Sequence, residues 1–517
     1  MQLLLQELQR SSLSVVFLLL SLLFLSLFFT NKFSKPAFKL KLPPSPPKLP
    51  IIGNLHQLGK LPHVSLRALS EKYGPLLFLK LGFKQTLIIS SSDMVKEMIK
   101  SQDIIFSNRP TSTAADIFFY GGKDSAFAPY SEYWRQTRKI CVLQLLSMKK
   151  VLSFEYVRKE ETEELVRNIR NSSLGGEAVN LTEMVVETLN NIIFRCILGM
   201  KFREDEMKKK FGGLARRMST QFVAFSYGNY FPFLRWVDVV TGLMGSLKES
   251  FNEFDSFLER VIEEHKKAAE SNDQDHEQAD KDFVDILLRL QKDGMLDVEL
   301  TQENIKAILV DMFVAGSDAS STIVEWAMAE VLNCPTAMKK VQEEVRRVVG
   351  NNNHKSRIEV NDIDQMDYFN CVIKETLRLH PPAVLIPRAT SKNSVKLGGY
   401  DIPPNTNVHI NAWAIQRDPK LWDRPEEFIP ERFENNPVDF RGQEFHLIPF
   451  GGGRRGCPGS TFGLFGIEYM LSNLLYWFDW KLPENGANVE DMDMTEAFAI
   501  AVHKKIPLTV VPIPYSP

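Results

Sequence analysis

One cysteine, Cys457, sits in the stretch PFGGGRRGCPGSTFG at residues 449–463. A cysteine that ligates a metal must be a thiolate, and thiolates are favoured by backbone N–H groups aimed at sulfur and by nearby cations. Glycines at 451, 452, 453, 456 and 459 let the chain bend closely around the sulfur. Arg455 brings positive charge. The run GSTFGLFGIEYMLSNLLYWF that follows reads as a helix, whose N-terminal dipole also favours an anion. The chemistry open to such a residue is that of a single soft metal ligand. The alternative is a structural cysteine buried in a glycine turn.

The remaining cysteines, at 141, 196, 334 and 371, are scattered and form no close pair. That argues for a reducing compartment and against a disulfide framework or a Cys₄ cluster. A thiolate with no second Cys or His nearby does not make a zinc site. It suits haem iron, whose in-plane ligands come from the porphyrin and whose O–O cleaving power rises with thiolate ligation.

The pattern Phe450-x-x-Gly453-x-Arg455-x-Cys457-x-Gly459 resembles the haem-binding signature of the cytochrome P-450 superfamily. Further family marks stand in the right order: Trp134 and Arg138 in WRQTR, AGSDASS from Ala315, Glu375 and Arg378 in KETLRLHPP, and Arg432 in PERF. The resemblance is closest to plant microsomal members and covers essentially the whole chain. It implies haem b bound through Cys457, with Phe450 in the same loop. Haem carries two propionates, and their donors would be the Trp134 indole N–H with Arg138, Arg388 and Arg455. By spacing alone, Trp134 and Arg138 also fit an amphipathic helix with one face in the core. Glu375 and Arg378 share a helix face, and the family version of their network with Arg432 is structural.

The helix over the haem departs from the family pattern. It reads Ala315-Gly316-Ser317-Asp318-Ala319-Ser320, with Ala319 where a threonine helps steer protons. Asp318 can take part in proton delivery, but alanine offers neither donor nor acceptor. Ser320 is turned about 100° from Ala319 on an ideal helix. Water or a substrate hydroxyl, a local distortion that brings Ser320 in, or a different reaction would each account for the change. The departure also supports two rivals: a hydroperoxide lyase or isomerase that needs no reductase, and a non-enzymatic haem binder. The ordinary spacing before Cys457 speaks for the monooxygenase.

The resemblance places substrate-facing positions at Phe118 and Phe119, Val314 and Ala315, Ala383, Val384 and Ile386, and Ile500, with QFVAF from Gln221 as a weaker candidate. Most are apolar, so an apolar small molecule such as a plant terpenoid or alkaloid is expected. No flavin or nicotinamide motif is evident, so electrons come from an NADPH-cytochrome P-450 reductase, with cytochrome b5 as a further partner. Arg135, Lys139, Lys149, Lys150 and Arg454 offer a cationic docking face. A formal net charge of -2 gives no drive towards nucleic acid.

Several elements must position these groups. The longest helical pattern runs from about Gln302 to Asn333, with Thr301 as N-cap. Pro335 opens the next helix, which ends at Gly350 and carries a stripe of Ala337, Val341, Val345 and Val348. HVSLRALSEKYG predicts a helix, and LLFLKLG and TLIIS predict strands. The polar segment from His265 reads as a solvated loop in which His265 has no role. After Pro381 the chain breaks into short strands and turns. The fold class is mainly α with a smaller β part, the cytochrome P-450 fold, preceded by one transmembrane helix. The domain assignment is a lumenal segment at 1–12, an anchor at 13–30, a basic and proline-rich linker at 31–53, and a catalytic domain at 54–517. The uncharged run LSVVFLLLSLLFLSLFF is long enough to cross a bilayer. Lys32, Lys35, Lys39 and Lys41 behind it put the body in the cytoplasm, on the endoplasmic reticulum membrane.

Overall fold

The computed structural model describes residues 15–16, 18, 20–22, 40–199, 213–271, 282–294, 298–350, 358–440, 444–483 and 492–516. It divides into two units, Met1–Leu42 and Pro43–Pro517. In the first, residues 15–16, 18 and 20–22 are helical and expose Val15, Val16, Leu18, Leu20 and Leu22, while 40–42 are irregular. Most of the expected span at 13–30 lies outside the described residues.

The second unit is helical around a small sheet. The helices that matter for the site are α1 (Glu132–Ile140), α2 (Leu181–Leu198), α3 (Leu214–Phe222), α4 (Leu243–Ser271), α5 (Gln302–Asn333), α6 (Pro335–Gly350), α7 (Asp367–Leu379) and α8 (Ser460–Trp477). The sheet strands are β1 (Leu76–Leu81), β2 (Lys84–Ile89), β3 (Leu385–Ala389) and β4 (Asn407–Asn411), in spatial order β1-β2-β4-β3. β1 and β2 form an antiparallel hairpin with Leu79 opposite Thr86. β2 runs parallel to β4 with Ile88 opposite His409, and β4 pairs antiparallel with β3, Ile410 opposite Ile386.

α5 begins at a capping box, in which Thr301 and Asn304 exchange side-chain-to-backbone hydrogen bonds. It is apolar nearly all round, which is the pattern of a helix inside a core rather than on a surface. α2 and α8 pack along it. Its apolar length would also satisfy a membrane span, yet most of it is buried inside the protein. Trp326 anchors the far end: its indole donates to the Val502 carbonyl at 3.1 Å, and its ring stacks on His380 at 3.9 Å. The stripe predicted on α6 is buried at all four positions.

One segment differs from expectation. α4 runs on through His265 to Ser271. The His265 ring pairs with Asp282 at 3.1 Å and its other nitrogen meets the Val261 carbonyl at 2.9 Å. Burial pushes the imidazole pKa down, but Asp282 and Asp285 outweigh it and hold the ring at about 9. Polar composition hid a helix end whose histidine has a partner distant in sequence.

Candidate active site

The cysteine loop is shaped by glycine where no other residue fits. Gly453 has φ +62, and a Cβ there would lie 2.6 Å from the Asp103 carboxylate. Asp103 in turn accepts the Arg454 backbone N–H at 2.8 Å. The Cys457 N–H donates to the Phe450 carbonyl at 2.9 Å, closing the loop just before α8 begins. Cys457 is exposed by surface area, yet burial raises its thiol pKa. Both hold for a residue on the wall of an enclosed cavity. The Gly459 and Ser460 N–H groups oppose the rise as expected, and the cation that joins them is Arg138 rather than Arg455. Burial outweighs them in the protein alone, whereas a bound metal cation deprotonates such a thiol outright.

Around this loop stand four guanidinium groups. Arg455 is buried, donates to the carbonyls of Ser107, Ser125 and Ala128, and lies 4.1 Å over the Trp134 ring. Arg388 is fully buried. It donates to the Gly452 carbonyl, while its Nε and Nη1 have no hydrogen-bond partner in the protein. Arg138 donates to the Gly456 carbonyl, and Arg109 to those of Ala126 and Pro387. Burial, then repulsion from Arg388 and Arg138, lowers Arg455 to about 9 although Asp124 and Asp311 oppose. Burial and Arg138 bring Arg388 to about 10 against Asp103. Arg109 falls well below the usual range through burial and the repulsion of Arg388 and Arg455. Buried cations are normally paired. Four that repel one another, one with two orphaned donors, fit a ligand carrying more than one carboxylate. Haem propionates have that chemistry, and Cys457 is the residue that would supply a thiolate to the iron.

The Trp134 indole N–H donates to the Ser125 carbonyl at 2.9 Å, and its ring offers Arg455 a face. Arg109 is absent from the motifs that mark the site. Its sequence surroundings, SNRPTS, carry no distinguishing pattern. Only folding brings it beside Arg388.

The third wall is α5. Ala315 is exposed and Met312, Gly316 and Ala319 are half-buried, in a helix otherwise almost wholly buried. The spacing is i, i+3, i+4, i+7, so one face borders open space. Gly316 lets α2 approach closely, since a Cβ there would stand 2.7 Å from Ile193 Cδ1 and the isoleucine would have to shift. Ser320 is buried and turned towards α8, its Oγ 3.3 Å from where a Cβ on Gly463 would stand. That contact sets the Ala319 turn beside the first turn of α8, next to Cys457. α5 is continuous from Gln302 to Asn333, and Ser320 does not reach round to the Ala319 face. Asp318 is buried, with Arg216 Nε 3.6 Å from Oδ1. Burial raises its pKa against the pull of Ser219, Arg216 and His503.

The family profile for cytochrome P-450 matches residues 43–508. The chain belongs to this family. Phenylacetaldehyde oxime monooxygenase of Prunus mume is 53% identical over 520 residues, covering 99% of this chain and 97% of that protein. Cytochrome P-450 71A1 of Persea americana is 50% identical over 460 residues, covering 89% and 91%. A solved zebra fish cytochrome P-450 with progesterone shares the fold at TM-score 0.74 and 24% identity, covering 88% of this chain and 99% of that one. The cofactor of this cytochrome P-450 is therefore haem with cysteine thiolate ligation, and Cys457 is the cysteine in the loop that fits it.

In this cytochrome P-450 the apolar side of the cavity is uneven. Phe118 is fully buried in the packed core and Phe119 nearly so. Phe119 stacks on Phe127 at 5.3 Å, and Phe127 meets Phe222 of α3 at 4.6 Å, both of these rings half-buried. Phe127 and Phe222 thus join the expected wall, Phe222 from the weaker candidate segment. Val314, Val384 and Ile386 are buried, whereas Ala383 and Ile500 keep some exposure. Phe450 packs edge-on against Phe440 at 5.2 Å. A separate cleft of about 900 Å³, lined by Cys371, Glu155, Arg158 and Glu468 among others, contains none of the expected site residues.

The salt-bridge network forms as expected. Arg378 donates twice to Glu375, at 2.7 and 2.8 Å, and Arg432 donates to Glu375 at 3.0 Å. The Glu375 and Arg378 side chains are fully buried. The Gln416 and Pro425 carbonyls take further Arg378 donors at 2.8 Å. Every charge has a partner, which is the condition for burying such a group.

Proposed function

We propose that this oxidoreductase is a membrane-anchored monooxygenase that inserts one oxygen atom of O₂ into an apolar small molecule, with electrons passed from NADPH by a separate reductase. The observation that carries the reading is the convergence of Arg109, Arg138, Arg388 and Arg455 behind Cys457, opposite the open Ala315–Ala319 face of α5. Thiolate-ligated haem, when bound, supplies the activation of dioxygen. The chain's own residues do the rest. Arg388 and its neighbours hold the propionates. Ala315, Gly316 and Ala319 leave room at the reacting face. Asp318 sets a buried carboxyl group close to it, and Phe119, Phe127 and Phe222 exclude water and orient an apolar ring.

The aromatic wall and the similarity to an enzyme named for phenylacetaldehyde oxime favour a small arylalkyl substrate, with that oxime the first compound to test. A terpenoid or alkaloid is the wider class. Exposed Arg135, Lys139, Lys149 and Arg454, with half-buried Lys150, offer the reductase and cytochrome b5 a cationic surface. Attachment to the endoplasmic reticulum has support in the second unit itself. Phe83, Phe225, Phe233, Trp236, Val239 and Val240 are all exposed. The Phe83 N–H donates to the Tyr230 carbonyl and its ring meets Phe233 at 5.5 Å, so they form one apolar patch.

The test is a reconstituted assay with reductase, NADPH and O₂ over a panel that begins with phenylacetaldehyde oxime. The expected result is one oxygenated product per turnover, and a carbon monoxide spectrum of thiolate-bound haem that Cys457→Ser abolishes. Ala319 favours one rival: rapid turnover of a fatty hydroperoxide without reductase would replace this reading by a rearrangement.

A further inference from the structure

Near its C-terminus the chain returns to the cavity as a narrow hairpin. Two short strands, Glu496–Ala497 and His503–Lys504, pair antiparallel, with Ala497 opposite His503 and Glu496 opposite Lys504. Residues 498–502 form the tip, which carries Ile500. The tip meets two walls already described. The Ile500 N–H donates to Ser219 Oγ of α3 at 3.2 Å, and the Val502 N–H donates to the Pro382 carbonyl at 2.9 Å, beside Ala383 and Val384. Phe498 packs with Val384, Trp413 and Val502. Ala499 and Ala501 are buried, whereas Phe498 and Ile500 keep some exposure.

So short a strand pair does not hold a tip in place by itself. The returning strand is fixed at Val502, whose carbonyl takes the Trp326 indole N–H. The outgoing strand is tied through a side chain. Glu496 Oε2 lies 2.8 Å from His63 Nε2, and Glu496 Oε1 accepts the Trp413 indole N–H at 3.3 Å. His63 stands in the helix Pro62–Tyr73, and its side chain is fully buried. Its ring meets Trp413 edge-on at 5.1 Å and lies over Phe498 at 6.0 Å. Its carbonyl accepts the Asn411 side-chain amide at 2.9 Å, which fixes it to the end of β4. Arg417, 4.1 Å over the Trp413 ring, and His380 add positive charge around Glu496. A charge-assisted hydrogen bond in such an enclosure is strong and directional, and removing one partner leaves a buried charge uncompensated. Without His63, Glu496 is drawn towards water, and the strand that leads to Phe498 and Ile500 goes with it.

We propose that His63 is a positioning residue for the substrate cavity: its hydrogen bond to Glu496 holds the C-terminal hairpin so that Phe498 and Ile500 stand at the cavity wall, and it thereby sets which ligands the cavity holds well. His63 touches no ligand itself, and it acts from 433 residues away in the chain. The role in ligand choice rests on the reading of the Cys457 cavity as the substrate site, while the tether between His63 and the hairpin does not.

The experiment uses the haem-loaded full chain and two variants. His63→Phe keeps an aromatic ring against Trp413 and Phe498 but offers Glu496 no donor; His63→Gln keeps a donor in place of Nε2. The first readout is backbone amide exchange, which needs neither ligand nor turnover. His63→Phe is expected to speed exchange in residues 497–503 by roughly tenfold, to leave β3 unchanged, and His63→Gln to stay close to wild type. Unchanged exchange in 497–503, or an equal rise in β3, overturns the tether. The second readout is spectroscopic titration with two azoles, imidazole itself and clotrimazole, an imidazole with a bulky triaryl group. His63→Phe is expected to raise the dissociation constant of clotrimazole by roughly tenfold, with imidazole binding and the carbon monoxide spectrum unchanged, and His63→Gln to restore it. Clotrimazole binding that is unchanged, tightened, or weakened only as much as that of imidazole overturns the positioning role. His63→Gln as impaired as His63→Phe overturns the hydrogen bond as its cause. If His63→Phe does not fold, Glu496→Gln, which keeps the shape and removes the charge, is read by the same two measurements, and no change in either one overturns the proposal. If neither azole perturbs the spectrum of the wild-type protein, the reading of the site fails, and amide exchange still decides the tether.

Discussion

Gly316→Ala tests how tightly α5 is packed against α2 at the site. In an unobstructed helix interior, alanine stabilises over glycine by about 1 kcal/mol. Here the new Cβ would stand 2.7 Å from Ile193 Cδ1, well inside ordinary contact, and Ile193 is buried. Overpacking of this kind costs roughly 1–3 kcal/mol, so the propensity gain is offset and the variant is expected to lose about 1 kcal/mol. Ile193→Val removes the obstructing Cδ1 at a cost of about 1 kcal/mol. The next obstructing atom, Ile193 Cγ1, is at 3.5 Å, which is normal contact. In that background Gly316→Ala recovers its gain. The expected coupling is therefore about 2 kcal/mol, or about 2 °C in melting temperature for a body of this size. The assay is a double-mutant cycle of four proteins, melted at one pH and haem occupancy. If Gly316→Ala changes stability by the same amount with Ile193 or Val at position 193, the close approach is not felt and the reasoning fails.

Arg109→Gln removes one cation from the cluster and is expected to weaken haem retention by about tenfold, measured as transfer of haem to an acceptor apoprotein, while the haem-free chain loses little stability. Asp124 and Asp311 form a buried pair at the start of the loop before α1: Asp311 accepts the Ser125 N–H at 2.7 Å, and burial raises both carboxyls, Asp124 to about 6. Because the folded pKa lies above the unfolded one, the folded chain binds more protons. This contribution is fully present below pH 3.8 and is lost as pH rises through 6, by about 3 kcal/mol. Asp124→Asn is expected to flatten the melting temperature across that window. Replacing Trp236 and Val240 with serine in the second unit is expected to reduce its binding to phospholipid vesicles several-fold, measured by flotation, because both side chains are well exposed.

Much of this was legible locally. α5, α6, α8 and the β1–β2 hairpin stand where periodicity and punctuation put them, because each is specified by its own apolar stripe and by caps such as Thr301, Pro335 and Gly350. Cys457 was legible because a ligand cysteine needs glycines and a helix start within a few residues of itself. Arg109 was not, since its partners Ala126 and Pro387 lie 17 and 278 residues away. The Ser125 carbonyl that takes the Trp134 indole N–H was not legible for a related reason: it is fixed by the path of a loop and not by the motif. His265 was passed over because a polar stretch resembles a loop until Asp282 is folded beside it.

The arginine cluster also bears on how the chain reaches its working state. Arg388 is wholly enclosed, with two donors lacking a hydrogen bond and Asp103, at 3.7 Å, as its counter-charge among the described residues. Arg455 and Arg109 hold protons less tightly than free guanidinium groups, first because they are buried and then because of neighbouring cations, Arg388 above all. In the protein alone these charges oppose folding of the segments that carry them, the 107–128 loop, β3 and the cysteine loop. A ligand that brings carboxylates would offset those terms together, and would stabilise the folded chain in proportion to its occupancy. Haem binding and ordering of the loop before α1 are therefore one coupled step. Haem-free protein is expected to exchange the backbone amides of 109–128 faster than those of α5, and haem to slow the former far more than the latter. Equal protection of both regions with and without haem would separate the cofactor from the loop and remove the arginines' role in joining them.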